Sequence, residues 1–290
     1  MEIRPALHAH LEWPTQHNPL RAATVAAIEA LAGAALELSR IIAAGPLAGI
    51  VGESGCGKST LARMLVGLLE PSSGQVVLAG RPVRGRLSGE ERRRVHRTVQ
   101  LVFQDPLGSL NPRKTVRRIL EGPLQALCRM DGAARRHRVE ELMRLVSLRP
   151  EFADRYPHEF SGGQCQRIAL ARALAVEPAL IVLDEPVSAL DVSIQAQVLQ
   201  LLRELQARLG LAYVFISHDL AVVEVLCRQV VVMRRGRVVE AGHTSELFKA
   251  PRHPYTRELL AAVPLAPAAA TVSRPEQRQA TRGPPPATGS

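Results

Sequence analysis

The stretch "GIVGESGCGKSTL", Gly49 to Leu61, decides the fold. From Gly52 to Ser59 it meets the spacing G-x-x-x-x-G-K-[ST] at every fixed position, with the apolar run "LAGIV" (47–51) before it and a helical pattern opening near Lys58. A strand, this loop and then a helix is the setting of a phosphate-binding loop. Glycines let successive backbone N–H groups close on phosphate oxygens, and the helix that follows adds the positive end of its dipole. Gly52, Glu53, Ser54, Gly55, Cys56, Gly57, Lys58, Ser59 and Thr60 are therefore expected to cradle a nucleotide. Lys58 is expected to reach the β- and γ-phosphates, and Ser59 to ligate Mg²⁺.

Outward from this loop, strand-length apolar runs alternate with helical patterns: "QVVLA" (75–79), "VQLVF" (99–103), "ALIVLD" (179–184), "AYVFIS" (212–217) and "QVVVM" (229–233). Several are rich in Val and Ile and bounded by Gly, Asp, Pro or Ser, which suits the buried strands of an α/β sheet. Ile194, Val198, Leu201, Leu202, Leu205 and Leu209 recur at three- and four-residue spacing, the core-facing stripe of one helix. From about 116 to 175 the pattern is helical without a convincing strand, so a helical subdomain inserted into the sheet domain is expected. After Ala261 the chain turns to Pro, Ala, Ser, Thr and Arg, and by composition residues 266–290 form a disordered tail.

Composition sets the outer limits. A chain of 290 residues with 46% hydrophobic content can bury a sizeable core. Cys56, Cys128, Cys165 and Cys227 form no CxxC pair, so neither a zinc site nor a disulfide framework is expected, and a reducing compartment suits them. No apolar run reaches the roughly 18 to 20 residues that span a bilayer. The net charge of +10 admits nucleic acid, an anionic membrane or an acidic partner, but the basic residues are scattered. Their densest run, "RGRLSGEERRRVHR" (84–97), holds Glu90 and Glu91 and reads as a solvated helix.

Two further segments bear on chemistry. "ALIVLDEP" (179–186) is an apolar strand ending in two carboxylates. Asp184 is placed to hold Mg²⁺ directly or through water, and Glu185 to polarise the water that attacks the γ-phosphate. "FSGGQCQRIALARAL" (160–174) opens a second helix at Ser161, Gly162 and Gly163, whose first turn again offers N–H groups. One chain thus carries two anion sites, while a nucleotide has one γ-phosphate. The economical arrangement is two ATPase domains face to face, each lending its second site to the other's ATP.

These residues together resemble the nucleotide-binding subunit of an ABC transporter, from about Leu11 to Val263. The resemblance implies a P-loop NTPase of ABC type: an α/β, RecA-like mixed sheet with an antiparallel β subdomain and the inserted helical subdomain. It implies ATP and Mg²⁺ as cofactors. "SGGQ" (161–164), through Gln164, matches the family signature; Gln104 in "LVFQDP" matches its Q-loop, which implies a catalytic residue and Mg²⁺ ligand that senses the metal and the attacking water and links to membrane subunits. Asp191 in "SALD" (188–191) matches its D-loop at the dimer face, and His218 in "FISHDL" its switch histidine, expected to contact the γ-phosphate. Phe160 stands where the signature usually has Leu, and Cys165 follows it; neither disturbs the helix start.

"VFQDPLGSLNPRKTV" (102–116), "DEPVSALDVSIQAQVL" (184–199) and "APRHPYTRELLAAVP" (250–264) resemble the oligopeptide/dipeptide/nickel importer class in particular. The resemblance divides the chain into an ATPase domain (1–250), a C-terminal extension (251–265) and the tail. It implies a second ABC ATPase, identical or related, two transmembrane permeases, and indirectly an extracytoplasmic solute-binding protein. The expected place is the cytoplasmic face of the inner membrane, peripherally bound, with no nucleic acid involved. No cysteine follows Cys227, so no metal cluster is expected in the extension. "EWP" (12–14) offers Trp13 for stacking on adenine. Residues 30–52 resemble the family's entry strands only loosely and carry extra residues before Gly45. The competing class is a soluble ABC-type ATPase that acts on nucleic acid or assists a metabolic enzyme complex. The transported solute, whether peptide, nickel or opine, is not written in this chain.

Overall fold

The computed structural model describes residues 47–71, 76–78, 81–83 and 87–262. Trp13, the entry strands before residue 47 and the tail at 266–290 lie outside the described residues.

A six-stranded sheet forms the centre, in the order β4-β5-β6-β1-β7-β8. Its strands are β1 (Leu47–Val51), β4 (Val99–Val102), β5 (Leu180–Asp184), β6 (Ala212–Ile216), β7 (Gln229–Arg234) and β8 (Arg237–His243). The first five in that spatial order are parallel, and β8 turns back antiparallel on β7. A separate antiparallel hairpin pairs β2 (Val76–Leu78) with β3 (Arg81–Val83). This is the mixed α/β arrangement the motifs implied. Every residue of β1, β5 and β6 is buried, as expected of strands covered on both faces. Side chains alternate between two cores, with Ile181 and Leu183 on one face of the sheet and Leu180 and Val182 on the other.

Seven of the described helices matter for the helical layers. On the face that carries β2 and β3 lies α1 (Lys58–Leu65), burying Leu61, Ala62 and Leu65. Against the same core, α2 (Gly89–Thr98) buries only Val95 and is otherwise solvated, started by a capping box between Ser88 and Glu91. On the opposite face, the chain from 106 to 174 holds α3 (Pro106–Ser109), α4 (Val116–Ala126), α5 (Gly132–Leu145) and α6 (Gly162–Leu174), with two 3₁₀ turns between α5 and α6. The α6 helix is apolar nearly all round because it packs against α3, α4, α5 and the following α7 (Val192–Leu209). The α7 stripe buries Val198, Leu201, Leu202, Leu205 and Leu209, while Ile194 sits half-buried at its start.

Two strands escape the periodicity reading. Pro82 sits within the three residues of β3, and β8 is a half-exposed edge strand carrying Arg237, Glu240 and His243. Edge strands of this kind lack the continuous apolar run that marks a buried one.

Candidate functional site

Parallel pairing lines up the carboxyl ends of four strands. Val51 is opposite Val232, Val102 opposite Leu183, and Asp184 opposite Ile216. Residues just beyond these ends, Gly52, Gln104, Glu185 and His218, therefore emerge along one edge of the sheet, where open α/β sheets place ligands.

The loop after β1 is shaped by glycines. Gly52 has φ 152° and lies so close to β7 that a Cβ there would sit 2.2 Å from the Met233 carbonyl oxygen. Gly57, at φ 106°, is the left-handed N-cap from which α1 departs. Cys56 is buried beneath the loop, whereas Glu53, Ser54, Gly55 and Thr60 face solvent. The Gly236 N–H, from the turn between β7 and β8, donates to the Cys56 carbonyl at 2.8 Å. Lys58 is 5% exposed and folds back over the loop, its Nζ donating to the Gly52 and Glu53 carbonyls at 2.8 and 2.9 Å. An ammonium so held is tied to the loop around it, with its third donor directed at the Cys56 sulfur at 3.9 Å.

Ser59 Oγ donates to Asp184 Oδ1 at 3.2 Å, joining the start of α1 to the end of β5. Burial pushes the Asp184 carboxyl above its ordinary range; the hydrogen bond from Ser59 opposes this, and the neighbouring Glu185 adds to it. A buried carboxylate beside a hydroxyl is a hard oxygen donor pair that suits a small divalent cation, whose charge would stabilise the ionised form. Two of the residues expected to hold Mg²⁺ are thus within hydrogen-bond distance of each other.

Glu185 adopts φ 47°, the left-handed region, which is uncommon for a side chain without a glycine's freedom. Its N–H donates to the Ile216 carbonyl, and its carbonyl accepts from Ser188 Oγ at 3.0 Å. Gln104 Nε2 donates to Glu185 Oε2 at 2.9 Å, and His218 Nδ1 lies 3.2 Å from the same oxygen. Three residues assigned from separate motifs thus meet at one atom. Gln104, expected among the metal ligands, is directed at Glu185 by its amide nitrogen rather than at Asp184. His218 is half-exposed while Glu185 is largely buried, so the cluster opens to solvent on the histidine side. The role of Ser188 in fixing the Glu185 backbone was hidden in the sequence; its only signal was its place three residues after Glu185.

The second glycine-rich turn is built differently. Ser161 caps α6, its Oγ accepting from the Gln164 N–H at 3.3 Å while Gln164 Oε1 accepts from the Ser161 N–H at 2.9 Å. The amides of Gly162 and Gly163 remain without a partner among the described residues. A Cβ on Gly163 would meet Ile194 Cγ2 at 2.4 Å, so the turn rests directly on the start of α7. Asp191, the exposed N-cap of α7, makes no side-chain cap. Among the described residues no hydrogen bond joins this turn to the loop at Gly52–Ser59.

Residues 36–188 match the family model described as ABC transporter. The chain belongs to the ABC transporter family. A second model, oligopeptide/dipeptide transporter C-terminal region, matches residues 239–287. Among curated ABC proteins, the oligopeptide transport ATP-binding protein OppF of Escherichia coli is 52% identical over 222 residues, 76% of this chain and 66% of its own length. The di/tripeptide transport ATP-binding protein DppF of Pseudomonas aeruginosa is 52% identical over 239 residues, covering 82% of this chain and 72% of its own. The match thus spans about two thirds of the length of these relatives. Among solved ABC structures, cbiO1 of Clostridium perfringens, part of an ABC transporter complex, superposes with TM-score 0.62 at 31% identity, over 70% of this chain and 79% of that one. An ATP-binding cassette in a dimeric post-hydrolysis state with ADP and Pi gives TM-score 0.62 at 32% identity, over 68% of this chain and 85% of its own.

Proposed function

We propose that this chain is the ATP-binding and hydrolysing subunit of an importer for oligopeptides or dipeptides. The observation that carries this reading is the meeting of Gln104 and His218 on one oxygen of Glu185, beside a cradle in which Ser59 faces Asp184. Such a cluster suits turnover rather than storage of nucleotide. Glu185 orients and polarises the attacking water, and a carboxylate held by two donors keeps that geometry. Lys58 and the amides of the cradle take the triphosphate, while Ser59 and Asp184 would hold Mg²⁺, which would supply positive charge against the phosphates. His218 stands at the open side of the cluster to meet the γ-phosphate.

The unpartnered amides of Gly162 and Gly163 serve the ATP of a second ATPase subunit, with Asp191 at the shared face. Closing of the two subunits around ATP and reopening after hydrolysis is the stroke that moves the membrane permeases. In this reading 1–250 is the ATPase domain and 251–265 the extension that marks the class. No helix among the described residues is long and apolar enough to cross a membrane, which suits a subunit bound peripherally at the cytoplasmic face. The names of the relatives support peptide as cargo, delivered by an extracytoplasmic binding protein.

The test is reconstitution of this chain in liposomes with two permeases and a second ATPase of the same class from its own genome. Peptide-loaded binding protein should stimulate ATP hydrolysis and drive uptake of labelled peptide. Hydrolysis indifferent to that binding protein but stimulated by nucleic acid would transfer the chain to the soluble class.

A further inference from the structure

The phosphate loop is held from a distance. The Glu53 N–H donates to the hydroxyl of Tyr255, 202 residues further on, at 3.0 Å. Tyr255 belongs to α10 (Pro254–Ala261), the helix that follows the short α8 (Leu220–Leu226) and α9 (Thr244–Lys249) at the end of the described chain. The Tyr255 side chain is 1% exposed, and the Arg234 guanidinium lies 4.5 Å over its ring. The start of α10 is fixed in turn: Glu240 of β8 accepts from the Arg252 and His253 amides at 2.8 and 3.0 Å, and His253 Nδ1 accepts from the Tyr255 N–H.

The geometry of one peptide unit gives this contact its meaning. The Gly52 carbonyl and the Glu53 N–H belong to the same planar group and point to opposite sides of it. The carbonyl accepts from Lys58 Nζ and the N–H donates to Tyr255. Gly52, at φ 152°, places few steric limits on rotation of that plane. Any rotation would swing the carbonyl away from the Lys58 ammonium, and the Tyr255 hydroxyl is what resists it from the other side.

We propose that Tyr255 is a positioning residue for nucleotide binding: through the Gly52–Glu53 peptide it sets the direction of Lys58, making the C-terminal extension a strut of the ATP site. The buried, Arg234-covered ring cannot itself stack on a base. The inference rests on the loop being the ATP cradle and on no assignment of cargo.

Tyr255→Phe keeps the ring, its packing and the Arg234 contact, and removes only the acceptor. ATP affinity of the full chain, measured by titration without permeases or peptide, should fall about 3- to 10-fold, the order of the net worth of one hydrogen bond. The KM for ATP should rise in step, with kcat at saturating ATP within about twofold of wild type, because Glu185 and its partners are untouched. Hydrogen exchange supplies the second readout: the Glu53 amide should be protected in the wild-type chain and exchange faster in the variant. A variant with wild-type ATP affinity, or with kcat lowered and KM unchanged, overturns the proposal. A wild-type chain that binds no ATP overturns the cradle itself, and peptide-independent hydrolysis overturns only the importer reading.

Discussion

Two glycine-rich turns each open a helix in this chain, and their surroundings could hardly differ more. The turn before α1 lies where four strand ends converge, with Lys58 folded over it, Ser59 bonded to Asp184, and Glu185 held by Gln104 and His218 beside it. The turn before α6 is capped by its own Ser161 and Gln164 and rests on Leu190 and Ile194. Both present backbone donors, yet only the first is surrounded by acids, bases and a cation. Donors at a helix start recognise a phosphate. Hydrolysis also requires groups that only the convergence of several strands can supply, so in the proposed reading the second turn becomes useful when the cradle of a second ATPase subunit, identical or related, is brought to it.

The largest effect expected from breaking this contrast is at Glu185. Glu185→Gln preserves shape and removes the carboxylate, so hydrolysis should fall about 100- to 10,000-fold while ATP binding persists. The bound ATP then cannot be cleared, and size measurement with ATP should find a trapped dimer. Phosphate release at the wild-type rate would mean that another group activates the water. Lys58→Ala removes the feature that most separates the two turns. Charge-assisted hydrogen bonds to phosphate are lost, and ATP affinity should drop about 10- to 100-fold in a nucleotide titration of the single chain. Unchanged affinity would leave the cradle's amides sufficient by themselves, as at the second turn.

Much of this contrast was legible in the residues. A glycine loop between apolar strand and helix has a local cause for each of its residues, and the buried strands announce themselves by unbroken runs of Val, Ile and Leu. The helical stretch from 116 onward was legible for the same reason of period. Pro82 and the charged residues of β8 obscured the two strands that were not. The meeting of three side chains at Glu185 Oε2 was beyond a linear reading, since Gln104 reaches it across 81 residues and only through the β4–β5 register. The positive φ of Glu185 was likewise beyond it, and is accompanied by bonds to Ile216 and Ser188. Tyr255 was visible as part of a class motif and not as a neighbour of the phosphate loop.

The smallest of these three effects, and the one that separates the two turns most cleanly, is expected at Gly163. A methyl group there would press on Ile194 Cγ2 at 2.4 Å, and a β-branched side chain anchored on α7 has little room to yield. The start of α6 must then shift by some tenths of an ångström relative to α7, a misfit of the overpacking kind that costs about 1 to 3 kcal/mol. None of the cradle's own bonds runs through Gly163, so Gly163→Ala should leave the ATP affinity of the single chain within about twofold of wild type. Hydrolysis, which in the proposed reading requires the displaced amides to meet the γ-phosphate of ATP held by a second subunit, should fall about 10-fold. The pairing of a nucleotide titration with a turnover assay reads both. Equal losses in the two would show that the second turn supports the first within one chain, and the division of labour between them would be gone.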